Sequence, residues 1–218
     1  MSADTSQLPV FPTNAPAVFA DPVAVKALFA SVLSQLAQVV EVSNDQLGGP
    51  TPCRSYTVAD LRRHVLAWLQ FFAAALDDPA GATERLDPDA WELAPGQRPA
   101  DIIGHAAADI ERAVDAGASG ALVVMSQARM AVGGVLAMAL GEYLVHGWDL
   151  AVSTGRTWSA GEDAAEAALA FLRTTVAPEH RGPDSGFFDE ETPASPGATA
   201  FERLLCFTGR RPDWTPAG

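Results

Sequence analysis

The chain has 218 residues, 27 acidic and 14 basic, which gives a formal net charge of −13 at neutral pH. This acidity disfavours nucleic acids and anionic membranes as partners, because both are bound through clustered lysine and arginine. Only two cysteines occur, Cys53 and Cys206, and they form no CxxC pair, so a disulfide framework is not expected and a reducing compartment is favoured.

Residues 1–20 are predicted to form a flexible N-terminal arm, and residues 21–218 a single helix-bundle domain. Pro9, Pro12 and Pro16 punctuate the arm, which has neither the basic start nor the apolar run of a signal peptide. No window of the chain holds the roughly 18 uninterrupted apolar residues of a membrane span. These features together predict a cytoplasmic protein.

The first helix is predicted from about Asp21 to Gln46. Asp21 is a suitable N-cap, and Pro22 suits the first turn of a helix. Apolar residues then recur at helical spacing, and the Gly-Gly-Pro sequence that starts at Gly48 is expected to end the helix.

The second helix is predicted from Val58 to Asp77. Thr57 and Asp60 resemble a capping box, with aspartate in place of the usual glutamate. The inner face of this helix is apolar except for His64, and its other members are Leu61, Trp68, Phe71 and Ala75.

Four more helices are predicted, over Pro99 to Ala116, Gln127 to Thr154, Ala160 to Val176, and Thr199 to Phe207. The segment from Pro178 to Pro196 is expected to be extended, and the chain shows little strand signal. Four long helices joined by loops predict an all-α fold, namely an up-down four-helix bundle with additional short C-terminal helices.

Polar residues interrupt the apolar faces of the second and fourth helices. Glu142 and His146 are four residues apart, so they share one helix face, and His64 lies on the inner face of the second helix. A carboxylate buried alone is costly, whereas two imidazoles and a carboxylate in a bundle core can share a cation. The competing interpretation is a plain hydrogen bond between glutamate and histidine. We predict that the three residues hold one divalent metal ion, with an open fourth position of the kind that catalytic zinc sites have.

Two aspartates lie at helical spacing from the histidines. Asp60 is one turn before His64, and Asp149 is three residues after His146. Each could accept the second imidazole N–H, which is the usual outer support of a metal-binding histidine. Asp60 is equally suited to capping its helix, and Asp149 to a position on the surface.

Other polar residues have weaker functional interpretations. His105 is either a fourth ligand or, more in keeping with a lone histidine, a satisfied and partly buried residue. Cys53 precedes a helix start, where a thiolate would be favoured, but no base accompanies it in sequence and inert burial is expected. Arg210 and Arg211 would meet an anionic ligand or clamp the chain end at the surface. Three aromatic residues are expected to shape a pocket or to pack in the core: Trp68, Phe71 and Tyr143.

Two motifs resemble the N-terminal domain of mycothiol-dependent maleylpyruvate isomerase: TPCRSYTVADLRRHV at 51–65 and GEYLVHGWDLA at 141–151. That group belongs to the DinB-like superfamily of metal-binding four-helix bundles. The ending FTGRRPDW at 207–214 resembles that of a small actinobacterial branch. The resemblance implies metal ligands at the histidine of the first motif and at the glutamate and histidine of the second, which here are His64, Glu142 and His146.

The resemblance also implies thiol-dependent chemistry, in which a metal activates a small thiol of the mycothiol type against an electrophile. The expected cofactor is zinc, with nickel as the alternative. The family's isomerase carries a further C-terminal domain that the segment after the second motif is too short to form, so an S-transferase or another isomerase is expected. The alternative is a non-enzymatic protein that binds a metal or small ligand, and a homodimer is left open.

Overall fold

A computed structural model of the chain describes residues 7–11, 14–117, 121–159, 161–182 and 188–216. Its helices are α1 (Pro22–Val39), α2 (Val58–Asp77), α3 (Pro99–Asp115), α4 (Val132–Ser153), α5 (Glu162–Thr175) and α6 (Ala200–Phe207). The predicted helix-rich fold is therefore confirmed. Pro12 of the predicted arm, Ala160 at the predicted start of the fifth helix, and 183–187 of the predicted extended segment lie outside the described residues.

The capping signals of α1 and α2 act as the sequence predicts. The Asp21 carboxylate accepts hydrogen bonds from the first backbone N–H groups of α1, with Pro22 in the first turn. Thr57 and Asp60 form the reciprocal capping box of α2. Caps of this kind satisfy N–H groups that have no partner inside the helix, and they fix where the side-chain register begins.

The prediction that α1 continues to Gln46 is wrong, because the helix ends at Val39. The Arg156 guanidinium donates to the carbonyl oxygens of Gln38 (2.9 Å), Val39 (3.0 Å) and Glu41 (2.5 Å). These carbonyls therefore have a partner without another helical turn. Because Arg156 is far away in the chain, the sequence around α1 gives no sign of this stop.

A β-hairpin stands where the fourth helix was predicted to begin at Gln127, so the strictly all-α prediction is wrong at this point. Strands β1 (Leu122–Met125) and β2 (Ala128–Ala131) are antiparallel. Ser126 in the turn has φ 50°, a left-handed conformation that usually falls to glycine or asparagine. The turn therefore lacked its usual sequence signal.

Described residues of the predicted N-terminal arm contact the rest of the protein. The backbone of Arg129 on β2 donates to the carbonyl of Pro9 and accepts from the N–H of Phe11, both at 2.7 Å. A short 3₁₀ helix at Ala17–Ala20 buries the side chain of Phe19.

Helices α1 and α2 each pack mainly against α3 and α4, so these four helices enclose the core. Helix α5 packs on the outside of α4, and α6 packs on α5. Helix α4 is therefore buried over most of its surface, which explains why its buried residues include polar ones such as His146 and Asp149. The facing of α2 and α4 positions the site described below.

Helices α1 and α4 are long and apolar enough to cross a membrane by length and composition alone. Such helices also occur in the cores of soluble proteins, and 83% of the apolar window of α4 is buried inside the protein. The window of α1 lies near the N-terminus. The cytoplasmic location stays a prediction.

Candidate metal site

Helices α2 and α4 bring His64, Glu142 and His146 together. One ligand atom from each of the three lies within 4.8 Å of the others, and among the described residues this is the one group of its kind. A carboxylate oxygen of Glu142, Oε1, lies 2.7 Å from Nε2 of His64 and 3.5 Å from Nε2 of His146. The centroids of the two imidazole rings are 5.2 Å apart.

The site is deep but remains accessible from one side. The side chain of Glu142 is 26% exposed and that of His64 is 19% exposed, whereas that of His146 is 11% exposed. One turn of α4 separates Glu142 from His146, so both project towards α2. A small molecule could therefore reach the carboxylate and His64 more easily than His146.

Glu142 is ionised at neutral pH. Burial alone would raise the pKa of this carboxyl, but His146 nearby and the hydrogen bond and charge of His64 outweigh burial and lower the pKa to about 2. The carboxylate is therefore an acceptor with two imidazole nitrogens beside it, and this set of donor atoms suits a divalent cation.

His146 is held from behind by a buried ion pair. Its Nδ1 lies 2.9 Å from Oδ2 of Asp149, and the same carboxylate accepts from Nη2 (2.9 Å) and Nε (3.4 Å) of Arg210. Burial favours the neutral carboxyl, but the charge of Arg210 prevails and the pKa of Asp149 is lowered. Because an ionised carboxylate only accepts, Nδ1 of His146 carries a proton, and Nε2 is the ring nitrogen that faces Glu142.

His64 is held by a phenol rather than a carboxylate. The Tyr56 hydroxyl lies 3.2 Å from Nδ1 of His64, and the two rings are 5.0 Å apart between centroids. Asp60, one of the two predicted supports, instead bonds to the backbone and hydroxyl of Thr57 as a cap. Sequence analysis missed Tyr56, although it lies inside the first motif.

Asp149 fulfils the contact predicted for it, whereas Arg210 departs from its prediction. Only 8% of Arg210 is exposed, so the expected surface clamp is wrong for this residue. Its nitrogens contact Asp149 and the carbonyl of Thr208, so it is not directed at an anionic ligand. The neighbouring Arg211 is exposed and pairs with Asp213 at the surface.

The remaining sequence candidates lie outside the group of three. His105 is exposed on α3 and does not belong to the cluster. Cys53 is partly exposed, and burial raises the pKa of its thiol although Arg210 opposes the shift, so the neutral thiol is favoured. This agrees with an inert cysteine.

The three aromatic candidates divide between the border of the site and the core. The ring of Trp68 is 6.1 Å from that of His64 between centroids, and Phe71 packs edge-on against Trp68. Tyr143 is fully buried and packs against Phe72, so it belongs to the core. Trp68 is therefore the aromatic residue of the three that borders the histidines.

The chain is similar to one described protein family and to two mycobacterial proteins. The family model described as the mycothiol maleylpyruvate isomerase N-terminal domain matches residues 29–151. Two uncharacterized proteins of Mycobacterium tuberculosis, one from strain CDC 1551 / Oshkosh and one from strain ATCC 25618 / H37Rv, are each 31% identical to the chain over 181 residues. The aligned region covers 80% of this chain and 90% of each relative. No solved structure gives a significant match.

Proposed function

The chain belongs to the family of mycothiol maleylpyruvate isomerase N-terminal domains, and we propose that it is a divalent-metal-binding protein that activates a small thiol. In this proposal α1 to α4 form a four-helix bundle of the DinB-like kind. His64, Glu142 and His146 hold the ion, which is zinc, with nickel as the alternative.

The observation that carries the proposal is the convergence of Glu142 with two imidazole nitrogens. Its ionised carboxylate lies 2.7 and 3.5 Å from the Nε2 atoms of His64 and His146. The other nitrogen of each ring has its own partner, Tyr56 or Asp149, as metal-binding histidines usually do. These residues therefore fit a divalent ion, and three protein ligands leave one position open.

Bound there, the ion would supply Lewis acidity, which lowers the pKa of a thiol or water molecule at the open position. The chain's own residues would orient the two histidine ligands and bind part of the thiol. Asp149 keeps His146 in one tautomer, Tyr56 supports His64, and Trp68 lies beside His64 with an apolar surface for part of a ligand. The partly exposed side chains of Glu142 and His64 mark the side of entry.

In the proposed reaction the sulfur of a mycothiol-type thiol loses its proton and bonds to an electrophilic carbon. In an S-transferase a leaving group departs from that carbon, whereas in a thiol-dependent isomerase the thiol is released again after the rearrangement. The choice of thiol rests on the description of the family, which names mycothiol, and the thiol would bind at the open coordination position of the metal ion. The nucleophile would come from the thiol itself, because the chain's own cysteine nearby, Cys53, has a raised pKa.

The second candidate function is a non-enzymatic protein that binds a metal or small ligand. The pKa values of Cys53 and Tyr56 are both raised, chiefly by burial. Neither group therefore offers an ionised base or nucleophile beside the site at neutral pH. A site of this kind would hold a thiol without turning it over.

Metal content by plasma mass spectrometry tests the proposal, on protein purified without a histidine tag. We expect about one ion per chain in the wild type and none in the His64→Ala, His146→Ala double variant. His105→Ala is the matched control, since it removes an exposed histidine from α3 and should leave the metal content unchanged. Absence of metal from the wild type, even after incubation with zinc, would overturn the proposal.

The zinc-loaded protein is then given mycothiol with a panel of electrophiles, and both the free thiol and the conversion of each electrophile are followed. Consumption of the thiol, or mycothiol-dependent isomerisation of an electrophile, supports the enzyme if it depends on Glu142. Metal binding together with thiol binding, but without consumption of the thiol or conversion of any electrophile, favours the second candidate. Metal binding without any interaction with mycothiol would refute the thiol part of the proposal.

A further inference from the structure

A buried arginine from the C-terminal segment reaches the proposed site from behind. We infer that Arg210 is a positioning residue of this site, which acts through Asp149 to hold His146 in the orientation and tautomer that a metal ion requires. The inference rests on the proposed metal-binding function and adds a residue to it. Arg210 lies beyond residues 29–151, the part of the chain that the family model matches.

The contacts form an unbroken chain from the C-terminal segment to the ligand. Nη2 of Arg210 lies 2.9 Å from Oδ2 of Asp149, and that oxygen lies 2.9 Å from Nδ1 of His146. Asp149 is fully buried and Arg210 nearly so. Two nitrogens of the guanidinium, Nη2 and Nε, face the two oxygens of the Asp149 carboxylate, and this paired contact fixes the rotation of the carboxylate so that Oδ2 points at Nδ1 of His146. Arg210 therefore holds the oxygen that accepts the hydrogen bond from His146 in place.

The backbone around Arg210 holds its side chain in place. Its N–H donates to the carbonyl of Leu205 at 2.8 Å, and its carbonyl accepts from the Thr192 hydroxyl at 2.7 Å. Nη1 donates to the carbonyl of Thr208 at 2.9 Å, so the guanidinium is fixed at several points. A planar guanidinium held in this way presents its fork to the carboxylate with little freedom.

The turn that delivers Arg210 requires a glycine. Gly209 has φ 82°, and a Cβ atom at this position would lie 2.4 Å from the Cβ and 3.0 Å from backbone atoms of Asp189. The turn is thus closed against another part of the C-terminal segment. This geometry is what a support for a ligand needs, because a loose tether could not hold an imidazole to a few tenths of an ångström.

A purely structural ion pair would stabilise the fold and leave the site's chemistry alone, so the test must separate the two roles. Zinc affinity is measured by competition with a fluorescent chelator for the wild type, Arg210→Met and Arg210→Lys. We expect Arg210→Met to weaken zinc binding by about 10- to 100-fold, as loss of an outer partner of a metal-binding histidine does. Lysine keeps the charge but not the fork, so Arg210→Lys should fall between the two.

The neighbouring residue offers a matched control. Arg211 is an exposed arginine that pairs with Asp213 at the surface, so Arg211→Met should leave zinc affinity unchanged. In a His146→Ala background, Arg210→Met should cause no further loss, because the residue through which it acts is gone. An equal loss in both backgrounds would overturn the inference and assign Arg210 a structural role.

A second readout is the tautomer of His146, observed by long-range nitrogen–proton NMR correlations of the imidazole ring in chelator-treated protein. The wild type should show the proton on Nδ1, and Arg210→Met should show a mixture of tautomers. Should Arg210→Met fail to fold, the double variant Arg210→Met, Asp149→Asn removes both buried charges, and its zinc affinity should fall similarly. Zinc binding that survives undiminished in the folded variants would refute the inference, whereas no zinc binding by the wild type would refute the proposed function instead.

Discussion

The two histidines of the site stand in different surroundings. A buried ion pair of Asp149 and Arg210 contacts Nδ1 of His146 on α4. The hydroxyl of the partly exposed Tyr56 contacts Nδ1 of His64 on α2. An ionised carboxylate only accepts, so it fixes one tautomer of His146. A phenol both donates and accepts, so it serves either tautomer of His64. One half of the site is thus fixed and the other adaptable.

The difference matters because Nε2 of His64 already contacts Glu142 at 2.7 Å. That hydrogen bond requires the proton on Nε2, since the carboxylate is ionised and can only accept. Ligation of a metal through Nε2 requires the proton on Nδ1 instead, and the oxygen of Tyr56 can accept it there. The adaptable half is also the more exposed one, which is the side from which a small ligand would arrive.

The largest expected effect comes from breaking the fixed half. Asp149→Ala leaves the buried Arg210 without its carboxylate, and removal of one partner from a buried pair destabilises a protein by about 3–5 kcal/mol. We expect this loss in urea denaturation of chelator-treated protein. Asp213→Ala, which removes an aspartate from the exposed pair with Arg211, should not measurably change stability. If both variants unfold at the same urea concentration as the wild type, the ion pair does not support the fold.

Each half of the site was visible in the sequence only in part, since Tyr56 was missed in the adaptable half and the role of Arg210 in the fixed half. The periodicity of α2 and α4 placed His64, Glu142 and His146 on inward faces, because the spacing of apolar residues fixes which positions of a helix share a face. Asp149 was within reach of the same argument, since it lies three residues after His146. The role of Arg210 was not, because its partner is 61 residues away and nothing local marks an arginine as buried.

The parts of the fold that local sequence signals determine were predicted, whereas parts that depend on distant contacts or on an unmarked turn were missed. Helix starts with a side-chain cap, as in α1 and α2, were predicted to within a residue. The end of α1 was missed because Arg156, from beyond α4, satisfies its carbonyls. The hairpin was missed because Ser126 takes a left-handed conformation without the glycine or asparagine that usually marks such a turn.

A smaller effect is expected where α4 is packed beside His146. A Cβ atom on Gly147 would lie 2.2 Å from the ring of Trp158, and the next residue, Ser159, is tied to Gln35 through its backbone. Trp158 packs against the core, so its ring would have to shift, and Gly147→Ala should destabilise the protein by about 1–3 kcal/mol, as overpacking does. Thermal unfolding followed by circular dichroism measures this.

Gly141 on the same helix is the matched control. A Cβ atom there would meet Leu172 at 3.5 Å, which is an ordinary contact. Gly141→Ala should therefore be neutral or slightly stabilising, because alanine favours the helix over glycine. Equal destabilisation by both alanines would show that α4 is sensitive to any added volume and not only beside His146.

The next smaller loss of stability is expected at the N-terminal cap of α2. Thr57→Ala removes the hydroxyl that accepts from the backbone of Asp60, and loss of such a cap costs about 1 kcal/mol of stability. Zinc affinity should stay at the wild-type value, because Asp60 bonds to Thr57 and not to His64. Urea denaturation and zinc competition on the same samples check both statements. A loss of zinc affinity would mean that the adaptable half depends on the cap as well as on Tyr56.

The smallest effect should come from the phenol itself. Tyr56→Phe keeps the ring against His64 but removes the oxygen that faces Nδ1. A partly exposed neutral hydrogen bond contributes about 0.5 kcal/mol at the lower end of its range, so zinc affinity should fall by about two- to threefold. The measurement is the same zinc competition. Water can replace the hydroxyl on this exposed side, whereas no water can replace the charge of Arg210 behind His146. A tenfold or greater loss in Tyr56→Phe would show that the two histidines are held with equal strictness, and the contrast between a fixed and an adaptable half would no longer stand.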